Sequence, residues 1–188
     1  MGQVSNEVKF PDNTTFYPYE TASRVYREII PSTLTVSDAI LMLLYAQPDK
    51  PIYGRTSMMK QVFLLTREVL PELVQDPKFV KHRYGMYSFY VANCLSNLEF
   101  TEKLSRHGRK NTRVESFQIT EKGKESIARK FLELPESVQS NIRTKRMGWD
   151  QLGYDGILRY VYAKYPEYRD MSVLKKRYAP IVWGRGIG

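Results

Sequence analysis

Ser88 to Thr120 constrains this chain more than any other stretch. Ser88–Glu99 has the apolar spacing of a helix, and the extended segments Phe100–Leu104 and Val114–Thr120 follow it. Between them lies a tip that reads His107-Gly108-Arg109-Lys110-Asn111. A helix that runs straight into a basic hairpin is a shape suited to nucleic acid. The helix can enter a DNA major groove, and the hairpin can lie along phosphates or the adjacent minor groove. DNA binding is therefore the leading expectation from the sequence.

Charge supports it. Residues 1–100 hold ten Lys and Arg against ten Asp and Glu. The remaining nineteen against ten place the whole formal charge of +9 in residues 101–188. Between Thr101 and Arg113 stand Lys103, Arg106, Arg109, Lys110 and Arg113, with Glu102 the lone acid. Each phosphate such a cluster neutralises would release a condensed counterion. The same residues also read as a solvated surface hairpin, because net charge speaks to partners and not to fold.

The chain's 188 residues suit one domain with appendages or two small domains. No apolar run of about 18 residues exists, so no spanning helix and no membrane partner are expected. Glu7, Asp12 and Glu20 interrupt any signal-like apolar core near the start. A single cysteine, Cys94, allows no internal disulfide and suits a reducing, cytoplasmic setting. The fourteen tyrosines fall largely in candidate helices, where core packing accounts for them.

Along the chain, residues 1–20 read as an extended arm, and Thr21 to Ile30 as a short helix ended by Pro31. Val36 to Gln47 has a wide apolar face (Ile40, Leu41, Leu43, Leu44), with Thr35 or Ser37 as cap and Asp38 at the positive helix end. Thr56 caps the next helix, to about Leu70, with Met59, Val62, Phe63, Val69 and Leu70 on one face and Thr66 as its polar member. Phe79 to Met86 looks extended and then turning. Thr120 starts a helix through about Leu134. A second begins near Pro135, which suits a first helical position, and runs to Arg146. Met147-Gly148 breaks the chain before a helix over Asp150 to Lys164. A short basic helix around Ser172 to Tyr178 and a Gly-rich tail complete it. The division expected is an N-terminal arm (1–35), a core domain (36–134) and a C-terminal helical extension (135–188).

The Tyr53-Gly54-Arg55-Thr56 turn, the Met59–Leu65 helix, Tyr84-Gly85-Met86-Tyr87-Ser88 and Ile119-Thr120-Glu121-Lys122-Gly123 together resemble archaeal winged helix-turn-helix proteins. The last step is similar to the strand-to-helix exit of many winged-helix transcription regulators. Lys60-Gln61 to Leu65, with the later Tyr84-Gly85-x-Tyr-Ser, more distantly resembles the Panacea antitoxin domain of phage-associated and toxin–antitoxin proteins. The resemblance spans about Val36 to Leu134. It implies a mostly α winged helix with a small β-hairpin wing and a broad DNA-linked role.

Individual residues carry alternatives. Arg109 and Lys110 could bind phosphate, Arg109 could enter a narrow minor groove, or both could serve solubility. Gly108 supplies a positive φ in the turn. Tyr90, Asn93 and Asn97 are the candidate base readers of the Ser88 helix, since Asn can pair bidentately with adenine. That helix has no Lys or Arg, so ordinary core packing explains it equally. Arg55, Thr56, Ser57 and Lys60 open a helix whose N–H groups could hold a phosphate or simply be capped. His82 between cations reads as a surface residue. Cys94 on an apolar face reads as an inert buried thiol. Two histidines and one cysteine make no standard zinc site. Asp150 and Asp155 are badly spaced for sharing a cation, and Gly148, Gly153 and Gly156 match no phosphate loop.

The sequence therefore reads as a DNA-binding winged-helix protein, a transcriptional regulator or architectural factor, with no catalytic residues, metal or cofactor. Its nucleic-acid residues would be Arg55, Thr56, Lys60, Tyr90, Asn93, Asn97, Lys103, Arg106, Arg109, Lys110 and Arg113. A protein-interaction module is the first alternative: an antitoxin, or a subunit of a transcription- or ribosome-associated complex. The bare Ser88 helix favours it. RNA binding through basic residues and stacking tyrosines is the second. A homodimer is compatible with any of these.

Overall fold

The computed structural model describes residues 8–9, 15–16, 34–71, 74–82 and 85–168. The expected helix at 21–30 and the basic helix and tail after 168 lie outside them. So does most of the N-terminal arm, of which β1 (Val8–Lys9) and β2 (Thr15–Phe16) pair antiparallel. The described residues are mostly helical, with small antiparallel sheets.

The first helix, α1 (Val36–Tyr45), is the centre of the core. It is buried on all sides, from Val36 through Leu44 apart from Ser37, as a helix apolar all round must be. Thr35 caps it in a reciprocal box: its hydroxyl accepts from the Asp38 N–H at 3.1 Å, and the Asp38 carboxylate accepts from the Thr35 N–H at 2.9 Å. β3 (Ile52–Tyr53) follows, then α2 (Arg55–Leu64), capped at Gly54 and not at Thr56 as the sequence suggests. The helical path continues over Leu65–Val69 in the wider π form and closes with the Leu70 N–H on the Leu65 carbonyl at 2.8 Å. Thr66 satisfies its hydroxyl on the Phe63 carbonyl at 3.0 Å.

β4 (Val80–His82) and β5 (Gly85–Tyr87) then form a hairpin, the extended-and-turning segment expected there. α3 (Phe89–Phe100) starts at Ser88, whose hydroxyl accepts from the Val91 N–H at 3.0 Å and donates to the Pro77 carbonyl. The hairpin after α3 begins later than expected. The helix continues through Phe100, Thr101 to Lys103 turn the chain, and β6 (Leu104–His107) pairs antiparallel with β7 (Ser116–Ile119). Leu104 faces Ile119 and His107 faces Ser116. β3 joins the other edge of β7, giving the sheet order β3-β7-β6.

The Ile119-Thr120-Glu121-Lys122-Gly123 step has a physical cause. Ile119 ends the strand, and the Thr120 hydroxyl caps α4 (Glu121–Leu132) by accepting from the Gly123 N–H at 3.1 Å. A Cβ on Gly123 would stand 2.0 Å from the Lys103 carbonyl oxygen, so only glycine lets the helix start this close to the hairpin. The last helix, α5 (Glu136–Lys164), is two helical segments as expected, but they meet at Gly153 and not at Met147-Gly148. It runs unbroken past Gly148 and kinks at Gly153, where φ is +63°. Its Val138, Ile142, Trp149, Ile157, Leu158, Val161 and Tyr162 join the same apolar core as α1 to α4. Leu44, Phe63, Leu95, Leu98 and Ile119 are buried together in that core, as their spacing predicts, and the Cys94 thiol is buried and free. No helix among the described residues is long and apolar enough to cross a membrane.

Candidate functional site

Glu115 organises the hairpin. Its side chain is fully buried and accepts from the Arg55 guanidinium at 2.8 Å and from the Asn111 N–H at 2.9 Å. Arg106 stands 3.8 Å away and holds Glu99 of α3 more tightly, at 2.9 Å. The Glu115 carbonyl accepts from the Gly54 N–H at 2.6 Å. One carboxylate thus ties the hairpin tip to the start of α2, while Glu99 ties it to the end of α3. The charge of the hairpin is therefore balanced locally by Glu99 and Glu115 as well as Glu102, which pairs with Lys122 at 3.2 Å. Sequence reasoning missed Glu115, though strand parity marks it: Glu115, Phe117 and Ile119 alternate onto the buried face.

Apart from Arg106, the expected nucleic-acid residues divide into three groups. Arg109 and Lys110 are exposed at the tip, with no ion-pair partner among the described residues, and Lys103 is half-buried at the base of β6. Gly108 adopts φ +78°, and a Cβ there would meet the Val114 carbonyl oxygen at 2.2 Å. Tyr90, Asn93 and Asn97 lie together on the outer side of α3. That side also presents Phe89, Ser96 and Phe100, and Phe89 and Phe100 are 63% and 86% exposed. None of these exposed residues is charged, and Glu99 at the edge of the arc, its side chain 38% exposed, is paired with Arg106. The Tyr90 hydroxyl donates to the Gln75 side chain at 3.0 Å.

The third group meets elsewhere. Arg55, Thr56, Lys60 and Arg113 line a cavity of about 440 Å³ between the start of α2, the β4–β5 hairpin, the hairpin tip and the kink of α5. Lys60 is buried, and its Nζ donates to the Met86 carbonyl at 2.8 Å. Burial pulls its pKa down to about 7. Arg113 lies over the Tyr154 ring at 4.7 Å. His82 lies beside Tyr87, with ring centroids 5.0 Å apart, and its buried Nδ1 has no hydrogen-bond partner among the described residues. His82, Tyr87, Phe89 and Tyr154 also line this cavity. Their convergence was not readable from local spacing, because four separate elements supply them.

A second cavity shares Arg113 and Tyr154 but includes Asp49 and Asp150. Asp150 there accepts from Gln61 at 2.9 Å and pairs with the fully buried Arg146, whose pKa burial lowers to about 10. Among the described residues, no three His, Cys, Asp or Glu side chains gather as a metal site. No protein-family model matches the sequence, and no curated protein is significantly similar to it.

Proposed function

We propose that the protein is a protein-interaction module that covers a partner protein with the outer face of α3, the antitoxin-like role implied by the distant resemblance to the Panacea domain. The observation that carries this reading is the uncharged arc of α3 with Phe89 and Phe100 exposed on it. The centres of protein interfaces are depleted in charge and enriched in aromatic residues. The two phenyl rings stand eleven residues apart on one helix face, about 16 Å along the axis, with the uncharged Asn93 and Ser96 between them. Arg109 and Lys110, exposed at the hairpin tip, suit an acidic rim on the partner.

Winged-helix DNA binding is the second reading. It is favoured by the order α1, β3, α2, α3, β6, β7, into which the π-helical segment and the β4–β5 hairpin are inserted between α2 and α3, with β3 beside β7, and by the same two tip cations. Affinity capture from native lysate with wild type and Phe100→Glu, followed by direct binding of the purified captured protein, tests the first reading. One protein should be enriched by wild type, lost with Phe100→Glu, and bound again when purified. Salt-sensitive binding of duplex DNA or RNA, without a protein partner that depends on Phe100, would overturn it.

A further inference from the structure

The exposed residues of α3 repeat a spacing that a second α3 can match. Phe89, Asn93, Ser96 and Phe100 are all exposed, four, three and four residues apart. At about 100° per residue they fall within about 60° of one another around the helix. This is the seam spacing of two packed helices, with Phe89 and Ser96 in one kind of seam position and Asn93 and Phe100 in the other. The stripe reads the same from either end: an aromatic ring, two short uncharged polar side chains, an aromatic ring. A two-fold interface demands that symmetry, because each residue meets on the second copy a residue that meets it in return.

We infer that α3 packs antiparallel against α3 of a second copy of this chain, with the two-fold axis between Asn93 and Ser96. Phe89 of each copy then meets Phe100 of the other, and Asn93 meets Ser96. The Asn93 amide donates to the Ser96 hydroxyl there, and such a polar layer in a seam fixes the register at a cost in stability. Charge favours the arrangement. At a formal +9 two copies repel each other, so they approach best where neither presents a charge. Along the edges Tyr90 comes beside Asn97 of the other copy and Glu99 beside Ala92, so no like charges meet. Area sets the strength. With about 200 Å² per phenylalanine side chain, the exposed 63% of Phe89 and 86% of Phe100 offer about 300 Å² per copy. Tyr90 and the polar residues of the stripe bring a pair of copies to about 1,000 Å² in total, the lower bound for a specific interface. The dimer is therefore weak and exchangeable. The inference rests on the reading of this face as a protein-binding surface and adds its regulation: the free chain closes the face with a second copy, which a different partner must displace.

The test is sedimentation velocity of the full chain from about 1 μM to about 500 μM, the range in which an interface this small assembles. Wild type should shift from monomer to dimer, and Phe100→Glu and Phe89→Glu should stay monomeric throughout. Leu132→Glu and Tyr53→Glu, at equally exposed apolar positions on other elements, should dimerise like wild type. The double variant Asn93→Lys with Ser96→Glu sets opposite charges across an antiparallel axis and like charges across a parallel one, so it should keep the dimer. A wild type that is monomeric at every concentration, or a dimer unchanged by Phe100→Glu, would overturn the inference. Loss of the dimer in the double variant would overturn the antiparallel register. A monomeric wild type that still captures another protein through Phe100 overturns the second copy and leaves the protein-binding reading standing. A Phe100-dependent dimer that captures no other protein supports the pairing and overturns the separate partner.

Discussion

Lys60 sits where an ammonium is costly, and the sign of its linkage follows from that. Its folded pKa, about 7, lies below its ordinary value of 10.5. Between those values the unfolded chain holds a proton that the folded chain lacks, so stability rises with pH across that window. Below pH 7 the folded chain carries the buried charge and the penalty is complete. Urea unfolding at pH 6.5 and 9.5 should show wild type gaining on the order of 2–3 kcal/mol relative to Lys60→Met. Parallel pH profiles for the two proteins would mean that Lys60 stays charged throughout. Asp38 titrates in the opposite sense. Burial raises its pKa, but the bonds from Lys130 and Thr35 outweigh burial and hold it below the usual value. Its contribution is present above that value and lost as pH falls through the lowered one. Lys130 reaches Asp38 at 2.8 Å, so this carboxylate both caps α1 and joins it to α4.

Among the elements, the β6–β7 hairpin owes its rigidity to Glu115 more than to its own four-residue strands. Glu115→Gln takes from Arg55 its buried counter-charge, while Arg106 keeps Glu99, and should destabilise by about 1–3 kcal/mol, read by denaturant unfolding. A change within experimental error would make the knot ornamental. Leu95, buried on the inner face of α3, should lose roughly 2–5 kcal/mol on replacement by Ala, and an unchanged thermal melt would remove it from the core. Periodicity made these helices legible: Val36 to Gln47, Thr56 to Leu70, Ser88 to Glu99 and Thr120 to Leu134 each coincide with an observed element to within a few residues. The misses have local reasons. Phe100 stays helical, and Glu102 makes the turn at φ +60°, a conformation that an acidic residue does not advertise. The helix passes Gly148 because the flanking Arg146 and Trp149 are buried and hold it, and tertiary packing outweighs a glycine penalty of about 1 kcal/mol. Glu115 was readable by strand parity, whereas the cavity was not, since His82, Lys60, Arg113 and Tyr154 come from distant segments.

At the scale of the whole molecule, the formal +9 says less about a partner than its placement does. Part of the positive charge after residue 100 is paired within the structure. Arg106 is held by Glu99, Lys130 by Asp38, Arg146 by Asp150, and Lys164 by Glu68, which also accepts from the hydroxyls of Tyr160 and Tyr165. The last cluster fastens the end of α5 to the π-helical segment. The pair Arg109 and Lys110 is exposed at the hairpin tip, with no ion-pair partner among the described residues. Reversing both to Glu therefore separates the two proposed functions. If the tip contacts nucleic-acid phosphates, the double variant should bind every DNA sequence more weakly, and its log–log salt slope should flatten by up to about two units. If α3 covers a protein partner and the tip only meets an acidic rim, the double variant should slow association with that partner while dissociation stays nearly constant. Phe100→Glu should do the reverse, accelerating dissociation. Stability should be unchanged in either case, because an exposed tip contributes little to it. Gel shifts at two salt concentrations and surface-plasmon kinetics with the captured partner read these outcomes directly. An unchanged DNA slope together with a Phe100-dependent dissociation rate would assign the surface to protein.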